Sequence, residues 1–234
     1  MRRISAALCL AACLAAAGFG SPALAASPPP PAGASFRVGG VEFQLPLPPG
    51  YCLPRGLQVD VAQLVAAGDT ANVTDLTLFP CTAPASGPEL GNQKDYILIK
   101  TPKQAMVTQV TRKDLLAGLG EAFDNPAFTE ALNSGKLMKD AGQGVSNVVG
   151  TKIDLSGNVA PRGKDDVCAY LGGAMTVTSA VKSYALSVGA CITAVGGRIL
   201  TIYWYGPDEG PASVARLLVK AKGVARTITS RADR

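Results

Sequence analysis

The sequence predicts an α+β fold in which a central antiparallel sheet is covered by helices on both faces, an α/β/α sandwich. Three observations carry that expectation. Val167 to Tyr205 is the longest run of strand-forming residues, and turn residues divide it into three segments that read as a β-meander. Both alternating faces of these segments carry bulky side chains, as a sheet covered on two sides requires. Apolar residues at helical spacing recur before and after the run, which supplies the covering layers.

At the N-terminus, Arg2 and Arg3 precede an apolar run from Ile4 to Gly18 that ends near Ala23-Leu24-Ala25, a small-x-small cleavage pattern. Residues 1–25 therefore read as a signal peptide. The run is too short to span a bilayer stably, and no transmembrane segment is expected after cleavage. Leu10-Ala11-Ala12-Cys13 has lipobox form, but the residues after it stay apolar where a lipidated cysteine opens a polar tether, so no lipid anchor is expected at Cys13. The short n-region argues for general rather than twin-arginine export. A periplasmic or secreted product of bacterial type is the expectation. Residues 26–34, rich in proline, form a tether, and residues 35–234 form a single globular domain. Arg2 and Arg3 leave with the leader, so 20 of the 22 basic residues remain against 17 acidic ones. That balance is too mild for a nucleic-acid binder.

Phe36-Arg37-Val38 and Val41-Glu42-Phe43-Gln44-Leu45 alternate apolar and polar residues around Gly39-Gly40, the pattern of a hairpin. Leu57, Val61, Leu64 and Val65 predict a helix over residues 56–67, stopped by Gly68. Strands follow at 73–79 and 95–101, with a loop from Pro80 to Gly91 between them. Asn72-Val73-Thr74 has sequon form, but the bacterial leader argues against a glycan. Thr111 and Asp114 mark a helix start, with Leu115, Leu116, Leu119 and Phe123 as its buried stripe. A second short helix after Asn125-Pro126 carries Phe128 and Leu132 and ends at Gly135. Asp140 to Ser146 reads as loop, and Val148 to Val159 as two more strands.

Within the meander, Gly196-Gly197 supplies a two-residue turn that sets Val195 opposite Arg198, Cys191 opposite Ile202 and Gly189 opposite Trp204. The missing side chain at Gly189 leaves room for the indole. Trp204, Ile202, Leu200 and Cys191 share one face, and Tyr203, Ile199, Ile192 and Val188 the other. A four-residue loop of Thr178 to Val181 pairs Val177 with Lys182 and sets Cys168 directly opposite Cys191, close enough for a disulfide that stabilises by roughly 3 kcal/mol. After a turn from Gly206 to Pro211, a last helix places Val214, Leu217, Leu218, Ala221, Ala225 and Ile228 on the face that closes the sheet. Its basic residues, Arg216, Lys220, Lys222 and Arg226, suit the end of a helix dipole better than a membrane surface.

Cys9 and Cys13 leave with the leader. Cys52, Cys81, Cys168 and Cys191 remain and allow three pairings, of which the strand register selects Cys168 with Cys191 and leaves Cys52 with Cys81. The chain has no histidine and no C-x-x-C, so no metal site and no cofactor is expected. Without histidine, the Ser-His-Asp and Cys-His mechanisms are excluded. Ser179-Ala180-Val181-Lys182 has the S-x-x-K form of penicillin-binding enzymes, but it falls in a hairpin and lacks a K-T-G companion. Asp165-Asp166 and Asp208-Glu209 are adjacent acids available for glycoside chemistry, although turn-like surroundings favour solvated turn formers. Trp204, Tyr203 and Tyr205 are a candidate ligand platform, with core packing as the plainer reading. No catalytic residue is assigned.

The order of elements resembles the PsbP-like α/β/α sandwich fold. Pro46 to Cys52 (PLPPGYC) ends the opening hairpin, the meander follows, and the last helix closes a domain over Ser35 to Ser230. The resemblance implies a non-catalytic adaptor bound to larger assemblies or envelope systems, and it transfers no functional residue. The reading is an exported binding or accessory protein with an envelope protein as partner. Its alternative is a histidine-free hydrolase, a glycosidase or peptidoglycan-active enzyme, that uses two carboxylates in a cleft.

Overall fold

Two glycine pairs with left-handed backbone make the tight turns from which the sheets grow. Gly39 and Gly40 (φ 52° and 82°) join β1 (Gly33–Val38) to β2 (Val41–Pro46), and Gly196 and Gly197 (φ 55° and 77°) join β8 (Ser183–Val195) to β9 (Arg198–Pro207). A computed structural model describes residues 33–87 and 92–232. The expected signal peptide, with Cys9 and Cys13, lies outside the described residues. Gly33 and Ala34, assigned to the tether from sequence, are instead the first residues of β1, paired with Pro46 and Leu45.

Between the two hairpins run β3 (Tyr51–Cys52), α1 (Leu57–Gly68), β4 (Asn72–Pro80), β5 (Tyr96–Pro102), α2 (Arg112–Asp124), α3 (Pro126–Asn133), α4 (Lys136–Val149), β6 (Ile153–Lys164) and β7 (Ala169–Ser179). After β9 come α5 (Pro211–Thr227) and β10 (Thr229–Ala232). A seven-stranded sheet has the order β3-β4-β5-β9-β8-β7-β6, and a three-stranded sheet the order β1-β2-β10. Every pairing is antiparallel. The fold is the expected α+β one, with an antiparallel sheet covered by helices.

The meander has four strands, not three, because β6 extends it as an edge strand. The sequence reading of Asp140 to Ser146 as loop and of two strands within 148–159 is wrong. α4 occupies the first span, and a single strand begins only at Ile153. Gly142 and Gly144 serve close approach in this helix. A Cβ on Gly144 would lie 2.1 Å from the Gly68 carbonyl oxygen of α1, and one on Gly142 would lie 2.9 Å from that of Ile153. Ser146 Oγ accepts from the Ile153 amide (2.8 Å) and donates to its carbonyl (3.1 Å), so α4 also covers the open edge of β6.

The β8–β9 register is as read, with Val195 opposite Arg198, Cys191 opposite Ile202 and Gly189 opposite Trp204. The β7–β8 register is displaced by two residues. Val177 faces Tyr184, Thr178 faces Ser183 and Cys191 faces Tyr170. The loop is Ser179 to Lys182, because Ser179 Oγ accepts the Lys182 amide (3.1 Å) and its own amide bonds the Lys182 carbonyl (2.8 Å). A two-residue shift preserves facing, so Cys168 keeps the side of the sheet it needs. It sits in the β6–β7 turn, where Asp165 Oδ1 accepts the amides of Val167 and Cys168 and bends the chain toward Cys191. The disulfides are Cys52–Cys81 and Cys168–Cys191, with Cα separations of 5.0 and 5.2 Å.

The core lies between the seven-stranded sheet, the small sheet and α5. It gathers Phe36, Phe43, Ile97, Ile202, Trp204, Leu217 and Ala221 around the Cys168–Cys191 bond. Gly189 is empty for α5, not for the indole, since a Cβ there would meet the Leu217 backbone at 2.7 Å. Arg198, 7% exposed, ties the parts together by donating to the carbonyls of Gly39, Val107 and Thr108 at 2.8 to 3.0 Å.

Candidate functional site

Alternation along β9 separates the aromatic residues that the sequence groups as one platform. Trp204 points to the α5 side and Tyr203 and Tyr205 to the other. Trp204 is a core residue at 5% exposure, edge-on to Tyr51 with ring centroids 4.9 Å apart and roofed by Lys220 Nζ at 5.0 Å. Its indole Nε1 donates to Asp95 Oδ1 (3.2 Å), and the Tyr51 hydroxyl donates to the same oxygen. Burial, then the hydrogen bond to Asp95, holds the Tyr51 phenol protonated far above its ordinary range.

Beside this group is a cavity of ≈ 210 Å³ lined by Asp95, Glu209, Ser213, Arg216, Leu217 and Lys220 among others. It holds two carboxylates, yet each is committed: Asp95 to Tyr51 and Trp204, Glu209 to Arg216. Of the other acids singled out in the sequence, Asp165 and Asp208 are also structural, and Asp166 is exposed. Asp165 accepts two turn amides, the Tyr170 hydroxyl and Lys222, which ties the β6–β7 turn to α5. Partial burial opposes ionisation there, but Lys222, Tyr170 and the amides outweigh it and hold the carboxyl well below the usual range. Asp208 accepts from Ser187 Oγ (2.9 Å) and the Gly210 amide (3.2 Å) at the start of α5. Ser179 and Lys182 close a hairpin, and the Lys182 ammonium bonds Asn92. A wider groove of ≈ 560 Å³ between α4 and the start of β6 contains one carboxylate, Asp154, ion-paired to Lys152 at 3.0 Å. Among the described residues, no three His, Cys, Asp or Glu side chains are grouped to hold a metal ion.

The opposite face of the sheet is built differently. α1 rests on β4, α4 rests on β6, and the two helices pack on each other. β4 and β6 are separated by four strands, so on a flat sheet they would be about 24 Å apart. Packed helix axes are only about 8–10 Å apart. The sheet therefore twists enough for α1 and α4 to meet, an arch from β4 to β6.

On the face of β5 and β9 turned away from Trp204, the rings of Tyr96 and Tyr205 stack at 4.4 Å, and Tyr203 stacks on Tyr205 at 6.2 Å. At one end, Lys100 stands over Tyr203 at 5.7 Å and is ion-paired to Asp69, just after α1, at 2.7 Å. At the other end is Tyr184 of β8, with Lys182 and Lys94 over its ring at 5.1 and 5.6 Å. The four tyrosines are half-buried. Burial pushes all four hydroxyls up, that of Tyr203 to about 12, so they are hydrogen-bond donors at any ordinary pH.

Among the described residues none of these four hydroxyls has a hydrogen-bond partner, and none is sealed from solvent. The side-chain polar atoms that are both fully enclosed and unpaired are Thr74 Oγ1 and Arg198 Nε. Buried tyrosine hydroxyls ordinarily find a partner within the protein. Around them Leu98, Leu186 and Val188 on the same face are buried. Sequence reading found Tyr203 and Tyr205 but not Tyr96. The alternation of Tyr96, Leu98 and Lys100 places it on their face only once β5 is known to pair with β9.

No protein-family model matches the chain, and no curated protein matches it in sequence. Among solved structures it is similar to the solution structure of cyanobacterial PsbP (CyanoP) from Synechocystis sp. PCC 6803, with 12% sequence identity and a TM-score of 0.35, over 85% of this chain and 94% of that one. The similarity is one of architecture alone. It transfers no residue and no role. Among the described residues no helix is long and apolar enough to cross a membrane.

Proposed function

We propose that this chain is a non-catalytic binding protein of an oxidising, extracytoplasmic compartment, acting as an accessory to an envelope protein or assembly. What supports the binding reading is that Asp95, Asp165, Asp208 and Glu209 are engaged in structural bonds, while four tyrosine hydroxyls on one face of the sheet have no hydrogen-bond partner among the described residues. The compartment follows from the two disulfides together with the leader-like N-terminus. Intact mass of the product isolated from cell envelopes tests it. The expected species lacks the first 25 residues, carries no lipid and takes up a thiol-alkylating reagent only after reduction. Labelling without reduction overturns the disulfide framework and with it the compartment.

The hydrolase reading retains one supporting observation, the presence of Asp95 and Glu209 in the same ≈ 210 Å³ cavity. Incubating the folded mature protein with peptidoglycan and with chromogenic glycosides separates the two readings. We expect no turnover. Hydrolysis that disappears in both Asp95→Asn and Glu209→Gln would establish the enzyme instead.

A further inference from the structure

Trp204 holds two opposite charges apart. Its indole Nε1 donates to Asp95 Oδ1 (3.2 Å), while the Lys220 ammonium stands over its ring, 5.0 Å from the centroid. One contact lies near the plane of the ring and the other above it, so the two charges are on the order of 7 Å apart and form no ion pair. Asp95 Oδ1 also accepts the Tyr51 hydroxyl, whereas Oδ2 has no partner among the described residues. Lys220 has none there beyond the indole. Both side chains line the ≈ 210 Å³ cavity, together with Pro207 and Leu217 and with Glu209 and Arg216, which pair with each other.

Drug-sized ligands occupy roughly 300–1,000 Å³, so this cavity suits a smaller molecule. Among its lining residues Asp95 and Glu209 balance Arg216 and Lys220. A ligand with one charge meets a like charge here, and only a dipolar one satisfies both of the groups left free. An α-amino acid carries its ammonium and carboxylate about 3 Å apart, and a hydrogen bond of about 2.8 Å at each end spans the gap.

We propose that this cavity binds a free α-amino acid with a small apolar side chain, its ammonium donating to Asp95 Oδ2, its carboxylate accepting from Lys220 and its side chain against Pro207 and Leu217. The assignment rests on the binding reading above and gives it a ligand class. The structural bonds of Asp95 stay in place, because they use only Oδ1.

Trp204 is the only tryptophan of the chain, so its fluorescence reports on the two groups that would hold the ligand. The mature, disulfide-bonded protein is titrated with L-valine, with isovalerate, which lacks the ammonium, and with isobutylamine, which lacks the carboxylate. Glycine and L-leucine extend the series to a smaller and a larger side chain. Fluorescence and calorimetry should show one amino acid bound per chain, with isovalerate and isobutylamine each weaker than valine by about tenfold or more. Asp95→Asn keeps an acceptor for Tyr51 and Trp204 and removes the charge. It should weaken valine and isobutylamine by about tenfold and leave isovalerate unchanged or improved. Lys220→Met keeps a stem over the indole, and it should weaken valine and isovalerate while leaving isobutylamine unchanged or improved. Lys220 makes no hydrogen bond to the described residues, so this variant decides the matter even if Asp95→Asn does not fold.

Isovalerate or isobutylamine binding as tightly as valine, or valine binding untouched by Lys220→Met, overturns the assignment. So does the absence of binding by all three amino acids at millimolar concentration in a chain whose circular dichroism is native. That failure, in a protein that hydrolyses nothing, removes the ligand class and leaves the binding reading to another surface. Turnover of peptidoglycan or glycosides that disappears in Asp95→Asn and in Glu209→Gln removes the binding reading itself.

Discussion

The two faces of the seven-stranded sheet meet their helices in opposite ways. On one side α5 buries Val214, Leu217, Ala221, Val224 and Ala225, and β8 and β9 present Gly189 and Gly206 to it so that helix and sheet backbones approach closely. On the other side α1 buries only Gln58 and Gly68, and α3 buries nothing. The arch is held by a few points: the glycine contact of α1 with α4, Ser146 on Ile153, the side-chain amide of Gln58 on the carbonyls of Ala83 and Pro84, and Asp69 on Lys100. The sheet residues Leu98, Leu186 and Val188 on this face are buried all the same, so the contrast lies in how much of each helix is buried. The difference places the stronger helix-to-sheet packing on the α5 side.

The largest expected effects break the α5 side. Gly189→Leu drives a side chain into the Leu217 backbone and should destabilise the fold by about 3 kcal/mol or more in denaturant unfolding, with protection lost across β8 and β9 together. Replacing Cys168 and Cys191 together by serine should cost about 3 kcal/mol. Gly144→Leu is the matching insult to the arch, since its Cβ lands 2.1 Å from the Gly68 oxygen. Hydrogen exchange should then show α1 and α4 opening while the amides of β8 and β9 stay protected. If Gly144→Leu instead unfolds the whole molecule as Gly189→Leu does, the two faces are one cooperative unit and the comparison fails.

This asymmetry was only half legible in the sequence. The α5 side follows from alternation and from turn chemistry: Gly196-Gly197 fixes the β8–β9 register, and the periodicity of Val214, Leu217, Ala221 and Ala225 fixes the face of the closing helix. The disulfides were also within reach, although the register used to derive one was two residues off, because a period of two hides any even slip. The arch was not legible. Gly142 and Gly144 signal loop by composition, and only a helix crossing at Gly68 explains them. β10 was missed because its four residues carry no apolar alternation and owe their conformation to β2. The tyrosine row depends on β5 pairing with β9 across about a hundred residues, which no local pattern encodes.

Acid should sharpen the comparison. Asp69 and Asp165 are partly buried, which alone would raise their pKa, but Lys100 on the arch side and Lys222 on the α5 side hold them below the ordinary range. Their folded pKa lies beneath the unfolded value of about 3.9, so the stability they supply is complete above that pH and is lost as pH falls further. Asp75 runs the other way. Burial, only partly offset by the hydroxyl of Thr101, raises it to about 6. Its folded form binds the proton more tightly, so stability rises as pH falls from about 6 to 4. Thermal unfolding in a pH series should therefore peak within that window, and Asp75→Asn should flatten the rise. Asp165→Asn should shift the acid limb of global unfolding, while Asp69→Asn should alter only the opening of α1 seen by hydrogen exchange.

The smallest effect is the most discriminating. Leu64, 40% exposed on α1, and Leu217, 6% exposed on α5, are both leucines at helical core spacing, and sequence alone gives them the same standing. Leu217→Gln places a polar group in the core and should cost on the order of 3 kcal/mol or more. Leu64→Gln should change stability by less than about 0.5 kcal/mol, as substitutions at open positions do. Tyr205→Phe belongs with Leu64: removing a hydroxyl that has no partner among the described residues costs no hydrogen bond to them, so unfolding should be unchanged or the folded state slightly favoured. If Leu64→Gln or Tyr205→Phe costs as much as Leu217→Gln, the arch is packed as tightly as the α5 side, and the comparison fails.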